Sequence, residues 1–124
     1  MIPKWFHARR QTLTPQRNLF CKVTFKSHYD KDGVKLVFDR VDLEPPRISG
    51  DYSTCEDKIV VYDGPSQSDR MLATLCGNRV VTIESTGNKL LLVFSSDGDN
   101  SDRHLGYTVT FSRIDSKHYV NVFR

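Results

Sequence analysis

Apolar residues along this chain recur in short alternating segments. Val34, Leu36 and Phe38 alternate with polar residues, and Val41 and Leu43 resume the alternation after a change of phase that predicts a β-bulge at residues 39–40. Other strand-like segments cover residues 19–25, 58–62, 71–75, 80–83, 89–94 and 105–111. No window keeps the i, i+3, i+4, i+7 spacing of a helix for three turns, so the pattern predicts an all-β protein.

Turn-forming residues, mainly Gly, Pro, Asn and Asp, separate these segments. Seven or more strands at a spacing of roughly 8–12 residues predict a β-sandwich of two antiparallel sheets or a β-barrel. Residues 90–94 are apolar without a break, which predicts a central strand covered on both faces. We expect one domain over residues 1–113 and a tail or linker over 114–124, in which Tyr119, Val120, Val122 and Phe123 alternatively form an edge strand.

Composition narrows the functional classes. The 124 residues are 38% hydrophobic and 27% charged, which fits one globular domain and excludes a multidomain enzyme. A net charge of +3 requires no polyanionic partner, so we expect no nucleic acid. The longest apolar run is five residues, too short to span a membrane. Residues 1–10 contain charges where a signal peptide needs an apolar segment, so we expect either a cytosolic protein or a module of a longer chain.

The three cysteines do not have metal-binding spacing, since no C-x-x-C motif is present. Cys55 and Cys76 are separated by two predicted strands and a turn, and a bridge closing that loop would stabilise the domain by about 3 kcal/mol. The alternative is two buried free thiols. Either way, Cys21 is left over.

Acidic residues and one asparagine follow or precede several predicted strands: Glu44, Asp57, Asp97, Asp99, Asn100 and Asp102. If these strand ends meet at one end of the sandwich, their hard oxygen ligands suit Ca²⁺ and not zinc. The alternative is a set of solvated loops, because Asp and Asn are common turn residues.

Catalytic and zinc sites have weaker support in the sequence. The four histidines form no i, i+4 pair, and no cysteine pair lies near them. Cys21 with His28, or a serine with His104 and Asp102, are the candidate nucleophilic pairs, but neither has a nucleophile-elbow signature. We therefore expect no enzyme.

Taken in order, several motifs resemble the CUB domain family over residues 12–111. These are Val41-Asp-Leu-Glu44, Cys55-Glu-Asp57-Lys-Ile-Val-Val-Tyr-Asp63-Gly64, Leu75-Cys76-Gly77, Ser85-Thr-Gly-Asn-Lys-Leu-Leu-Leu-Val-Phe94, Ser96-Asp97 and Gly106-Tyr-Thr-Val-Thr-Phe111. The resemblance implies an extracellular or secreted jelly-roll-like β-sandwich that binds other proteins and belongs to a larger modular protein.

The resemblance also assigns individual residues. It implies a Cys55–Cys76 disulfide, and it implies Ca²⁺ ligands at Glu44, Asp57 and Asp97, with the Asp99 carbonyl and the Asn100 side chain as further ligands. Residues 45–54 form a longer loop than the family pattern, which leaves Asp51 as an alternative to Glu44. Cys21 matches the family's second cysteine, whose partner lies near the N-terminus of the domain. Here no cysteine precedes it, so we expect Cys21 to be unpaired.

The function implied by the resemblance is recognition of a partner's Lys or Arg side chain. In this hypothesis Glu44, Asp57 and Asp97 hold Ca²⁺ and also face the partner. One alternative is a calcium-independent adhesive module that binds heparin or another glycan through Arg9, Arg10 and Arg17. Another is a noncatalytic targeting module of a larger protease.

Overall fold

Every regular element in the part of the chain that the structure describes is a β-strand. The structure is a computed structural model, and it describes residues 20–96 and 106–115 together with the backbone of residues 8–13. The strands are β1 (Ala8–Leu13), β2 (Phe20–Lys26), β3 (Gly33–Asp42), β4 (Arg47–Ser49), β5 (Tyr52–Thr54), β6 (Lys58–Tyr62), β7 (Met71–Leu75), β8 (Asn78–Glu84), β9 (Lys89–Ser95) and β10 (Gly106–Ile114).

The strands form two four-stranded sheets and a separate hairpin. The first sheet has the order β1-β10-β3-β8, the second has the order β2-β9-β6-β7, and β4 pairs only with β5. All of these pairs are antiparallel. The two large sheets are the layers of a jelly-roll-like β-sandwich. This confirms the all-β class predicted from the alternating pattern and the sandwich that the CUB resemblance implies.

Alternating side chains of the two sheets meet in one core. Phe38 and Tyr107 of the first sheet pack with Phe94 of the second, and the ring centroids of Phe94 and Tyr107 lie 5.8 Å apart. Strand β9 lies between β2 and β6, and all five of its central residues, 90–94, are buried, as the unbroken apolar run predicted. Aromatic rings of this size account for much of the area that such a core removes from water.

The change of phase in β3 is a β-bulge. Phe38 pairs with Val81 and Val41 pairs with Arg79, so residues 39 and 40 together oppose Val80 alone. The extra residue restores the inward orientation of Val41, which is buried together with Leu43. The bulge therefore carries the apolar pattern of β3 through to the end of the strand, immediately before Glu44.

Three segments differ from the sequence-based expectations. Strand β1 lies in a stretch where the sequence predicted no strand, and β4 with β5 lie in a segment interpreted as a loop. Strand β10 extends to Ile114, one residue into the predicted tail. The edge strand suggested for Tyr119, Val120, Val122 and Phe123 lies outside the described residues, and the division at residue 113 stays a prediction.

One end of the sandwich collects the strand ends that the acidic residues flank. Asp42 pairs with both Gly106 and Asn78, and Lys58 pairs with Ser95. Only Cys76 and Gly77 separate β7 of the second sheet from β8 of the first, so these strand ends lie at the same end of the molecule. We call this end, which contains Phe20, Glu44, Asp57, Cys76, Gly77, Asn78, Ser96 and Gly106, the Glu44 pole.

Candidate functional site

Glu44 is fixed to the core through its backbone. The amide of Leu43 donates to the carbonyl of Gly77 (3.0 Å), and the amide of Gly77 donates to the carbonyl of Glu44 (3.1 Å). Gly77 has a φ of +71°, a conformation that residues with a side chain rarely adopt. This reciprocal pair of hydrogen bonds holds the Glu44 backbone at the pole and leaves its side chain 18% exposed.

Asp57 lies at the same pole and is more deeply buried, with 6% of its surface exposed. It immediately precedes β6, whose first residue, Lys58, pairs with Ser95 of β9. Burying a carboxylate is costly unless it is paired, and Asp57 is engaged with a neighbouring group. The fold therefore places one partly exposed and one buried carboxylate at the Glu44 pole.

A disulfide connects the segment just before Asp57 to the residue just before Gly77, the hydrogen-bond partner of Glu44. Cys55 and Cys76 are bonded, with their Cα atoms 5.9 Å apart, which confirms the implied bridge and excludes the alternative of two buried thiols. Cys55 lies two residues before Asp57, and Cys76 lies directly before Gly77. Glu44 and Asp57 are thus tied to adjacent residues of one connection between the sheets.

The three remaining proposed ligands, Asp97, Asp99 and Asn100, lie outside the described residues. Ser96, which precedes them, is at the Glu44 pole. Within residues 20–96 and 106–115, no group of three or more His, Cys, Asp or Glu side chains is arranged to hold a metal. The described part of the candidate site consists of Glu44 and Asp57, whose hard carboxylate oxygens fit Ca²⁺ chemically.

Asp51, the alternative to Glu44, occupies a different position. It lies in the turn of the β4–β5 hairpin, and all three residue pairs of the hairpin separate it from the pole. The contact that the sequence analysis missed involves Arg47 at the base of this hairpin, where a guanidinium nitrogen lies 3.7 Å from a carboxylate oxygen of Glu44. Spacing of i, i+3 alone does not reveal such a pair outside a helix.

Cys21 has a free thiol and is half-buried on β2, where its backbone lies opposite Phe94 of β9. Burial raises the pKa of Tyr107 to about 12, and the nearby Cys21 thiol adds to that shift. His28 lies beyond the opposite end of β2, roughly 20 Å away at the usual rise of an extended strand. Cys21 and His28 are therefore not a catalytic pair, and the His104 and Asp102 candidates lie outside the described residues.

A family model for the CUB domain matches residues 12–111. The chain belongs to the CUB domain family. Among curated relatives, human "CUB and zona pellucida-like domain-containing protein 1" is 33% identical over 82 residues, covering 65% of this chain and 12% of that protein. Dog cubilin is 30% identical over 97 residues, covering 77% of this chain and 2% of cubilin. The chain thus spans a small fraction of these relatives.

Solved CUB structures share the fold at lower sequence identity. The CUB1-EGF-CUB2 region of human MASP-1/3 superposes with a TM-score of 0.74 at 19% identity, covering 94% of this chain and 44% of that one. The MASP-1 CUB2 domain bound to Ca²⁺ gives a TM-score of 0.65 at 16% identity, covering 86% of this chain and 92% of that one. CUB domains are noncatalytic interaction modules. None of the described residues forms a helix that could cross a membrane.

Proposed function

We propose that this CUB domain is an extracellular, calcium-dependent module that binds a Lys or Arg side chain of a protein partner at its Glu44 pole. The observation that carries the proposal is the location of a buried Asp57 and a partly exposed Glu44 at the same end of the sandwich. A CUB domain of similar fold has been solved with Ca²⁺ bound, which supports the choice of ion.

Five residues would hold the ion: Glu44, Asp57 and Asp97 through carboxylates, Asp99 through its carbonyl and Asn100 through its side chain. When bound, Ca²⁺ supplies the positive charge that lets several carboxylates occupy one end of the fold. The Glu44 side chain is partly exposed, so its carboxylate is suited to accept a charge-assisted hydrogen bond from a partner's ammonium or guanidinium group. Asp57, which is buried, is suited to the ion.

Calcium titration of the chelator-treated protein tests this proposal. We expect Ca²⁺ to raise the melting temperature, because a ligand that binds only the native state stabilises it. Asp57→Asn should remove most of that increase. Asp30→Asn is the matched control, since Asp30 is exposed and lies beyond the opposite end of β2. An unchanged melting temperature in the wild-type protein, with no heat of calcium binding, would show that the calcium mechanism is wrong.

Calcium-independent binding of heparin or another glycan is a second candidate. The bulge in β3 places Arg40 beside Arg79 at an open hollow of about 270 Å³, which Asp39, Val41, Asn78 and Val80 also line. Strand β1 aligns Arg10 with Thr110 of the same sheet, while Arg17 lies outside the described residues. Retention on heparin that survives chelator and falls in Arg10→Ala or Arg40→Ala would favour this function.

The setting of the domain is also a proposal. We expect an extracellular module within a longer protein, consistent with relatives of which this chain covers only a small part. A targeting role beside a protease is one form of that setting. The sequence that flanks this module in its gene would show whether the longer protein is a protease, because a protease would carry its own catalytic motif there.

A further inference from the structure

The β4–β5 hairpin is exposed on both faces. Ile48 pairs with Ser53 and Ser49 pairs with Tyr52 around a two-residue turn in which Gly50 has a φ of +62°. Every residue from Arg47 to Thr54 is exposed, and neither strand pairs with another described strand. A two-stranded hairpin without packing on either face is marginal on its own. The position of this hairpin therefore depends on how its ends are attached.

Both ends of the hairpin are attached to the connection between β7 and β8, which consists of Cys76 and Gly77. Before β4, Pro45 and Pro46 lie so close to Gly77 that a methyl group added there would sit 3.6 Å from the Pro45 Cα and the Pro46 Cδ. After β5, Cys55 is bonded to Cys76. Because the two attachment points are neighbours in the chain, the base of the hairpin is fixed at the Glu44 pole.

The hairpin presents large apolar side chains to solvent. Ile48 is 76% exposed and Tyr52 is 77% exposed. Paired residues of a hairpin share a face, so Tyr52 lies on the same face as Ser49, Arg47 and Thr54, whereas Ile48 lies on the other. Exposed Tyr on a projecting element is typical of a contact surface, because Tyr is enriched in interface cores.

The Tyr52 face continues into the candidate site. Arg47, at the base of that face, reaches Glu44 at 3.7 Å. Beyond Arg47, that face carries the uncharged residues Ser49, Tyr52 and Thr54. The carboxylates of the pole therefore suit a cation, while the part of the Tyr52 face beyond Arg47 suits a neutral apolar group.

We infer that the hairpin forms the second half of the partner surface, on which Tyr52 contacts an apolar side chain next to the partner's Lys or Arg. Tyr52 is two residues along the strand from Thr54, the partner of Arg47, a distance of roughly 7 Å. The preferred partner sequence therefore has an apolar residue close to the basic one. This inference rests on the proposed function.

Two capped peptides test it with the full chain in saturating Ca²⁺. One is acetyl-Leu-Gly-Lys-Gly-Leu-amide and the other is acetyl-Gly-Gly-Lys-Gly-Gly-amide, with affinities measured by chemical-shift titration of the isotope-labelled protein. We expect the leucine peptide to bind roughly five- to tenfold more tightly, the ratio that follows from burying part of one aromatic ring. Tyr52→Ser should remove this difference. Tyr29→Ser, at an exposed tyrosine of the opposite pole, should preserve it.

The outcomes separate this inference from the proposed function. Equal affinity for both peptides, with both losing affinity on chelation, would overturn the role of the hairpin and leave the Glu44 pole as the binding site. Absence of binding by either peptide would overturn both ideas. A wild-type dimer that becomes monomeric in Tyr52→Ser, measured by sedimentation, would assign the hairpin to a second copy of the chain and would also overturn the inference.

Discussion

Arg47 and Glu44 form an ion pair within the chain at the position where a partner's cation is expected, with a nitrogen-to-oxygen distance of 3.7 Å. The Arg47 side chain is 57% exposed, so the pair is weak and can exchange with solvent. It still places a positive charge beside a carboxylate that we assign to Ca²⁺. Arg47 should therefore lower the affinity of the pole for any cation that binds there.

Replacing Arg47 by Gln should raise calcium affinity two- to fivefold, the range that corresponds to the usual strength of an exposed ion pair. Isothermal titration of the chelator-treated protein measures this change. Lys26→Gln is the matched control, because it removes the same charge at the opposite end of β2. An equal increase in both variants would assign the effect to net charge and not to Arg47.

Removing the disulfide should weaken the whole domain. The bridge closes a loop with a sequence separation of 21, so Cys55→Ser with Cys76→Ser should lower the free energy of unfolding by about 3 kcal/mol. Denaturant titration measures the change against Cys21→Ser, which leaves the bridge intact. Alkylation of the denatured, nonreduced wild-type protein should modify one thiol. Modification of three would contradict the bridge.

Ser85 should contribute to stability through one buried hydrogen bond. Its hydroxyl accepts from the amide of Val34 at 2.8 Å and donates to the carbonyl of Gly87 at 2.5 Å, and the residue is buried. Ser85→Ala leaves the Val34 amide without this acceptor, so we expect a loss of about 1–3 kcal/mol in denaturant titration. Ser53→Ala, on the exposed hairpin, should change stability by less than about 0.5 kcal/mol. Equal effects would refute the assignment.

Tyr107 should make the domain sensitive to alkaline pH. Burial and the Cys21 thiol raise its pKa from 10.0 to about 12, so the folded protein holds the phenolic proton more tightly than the unfolded chain. Stability from this group is complete below pH 10 and is lost as the pH rises towards 12. Denaturant titrations between these values should show a steeper decline for the wild-type protein than for Tyr107→Phe. Parallel declines would refute the raised pKa.

The sequence allowed most of the sandwich to be predicted, because its core strands are short apolar segments, alternating or unbroken, that turn-forming residues separate. The predicted segments at residues 58–62 and 71–75 match β6 and β7 in full, and the change of phase in β3 located the bulge. Strand β1 was missed because the sequence of Ala8–Leu13 contains two adjacent arginines and few apolar residues. Its pairing with β10 is a tertiary effect that local propensity does not report.

The candidate site was predictable only in part. Motif order identified Glu44 and Asp57, and the structure places both at one pole. The β4–β5 hairpin was missed because its eight residues contain only two large apolar side chains, on opposite faces, so no buried face produces an alternating signal. The Arg47 contact depends on that hairpin and could not be inferred without it.

Because the hairpin is attached at Cys76 and Gly77, the residues that define its exposed surface are separate from the residues that pair the two sheets. Since both ends of the segment return to adjacent points, we expect changes in its length and sequence to leave the registers of the two sheets unaltered. The sandwich is then a scaffold, and residues 47–54 are a replaceable hairpin next to the carboxylates of the Glu44 pole. Grafting a different hairpin between Pro46 and Cys55 is thus a direct route to a module with altered partner preference.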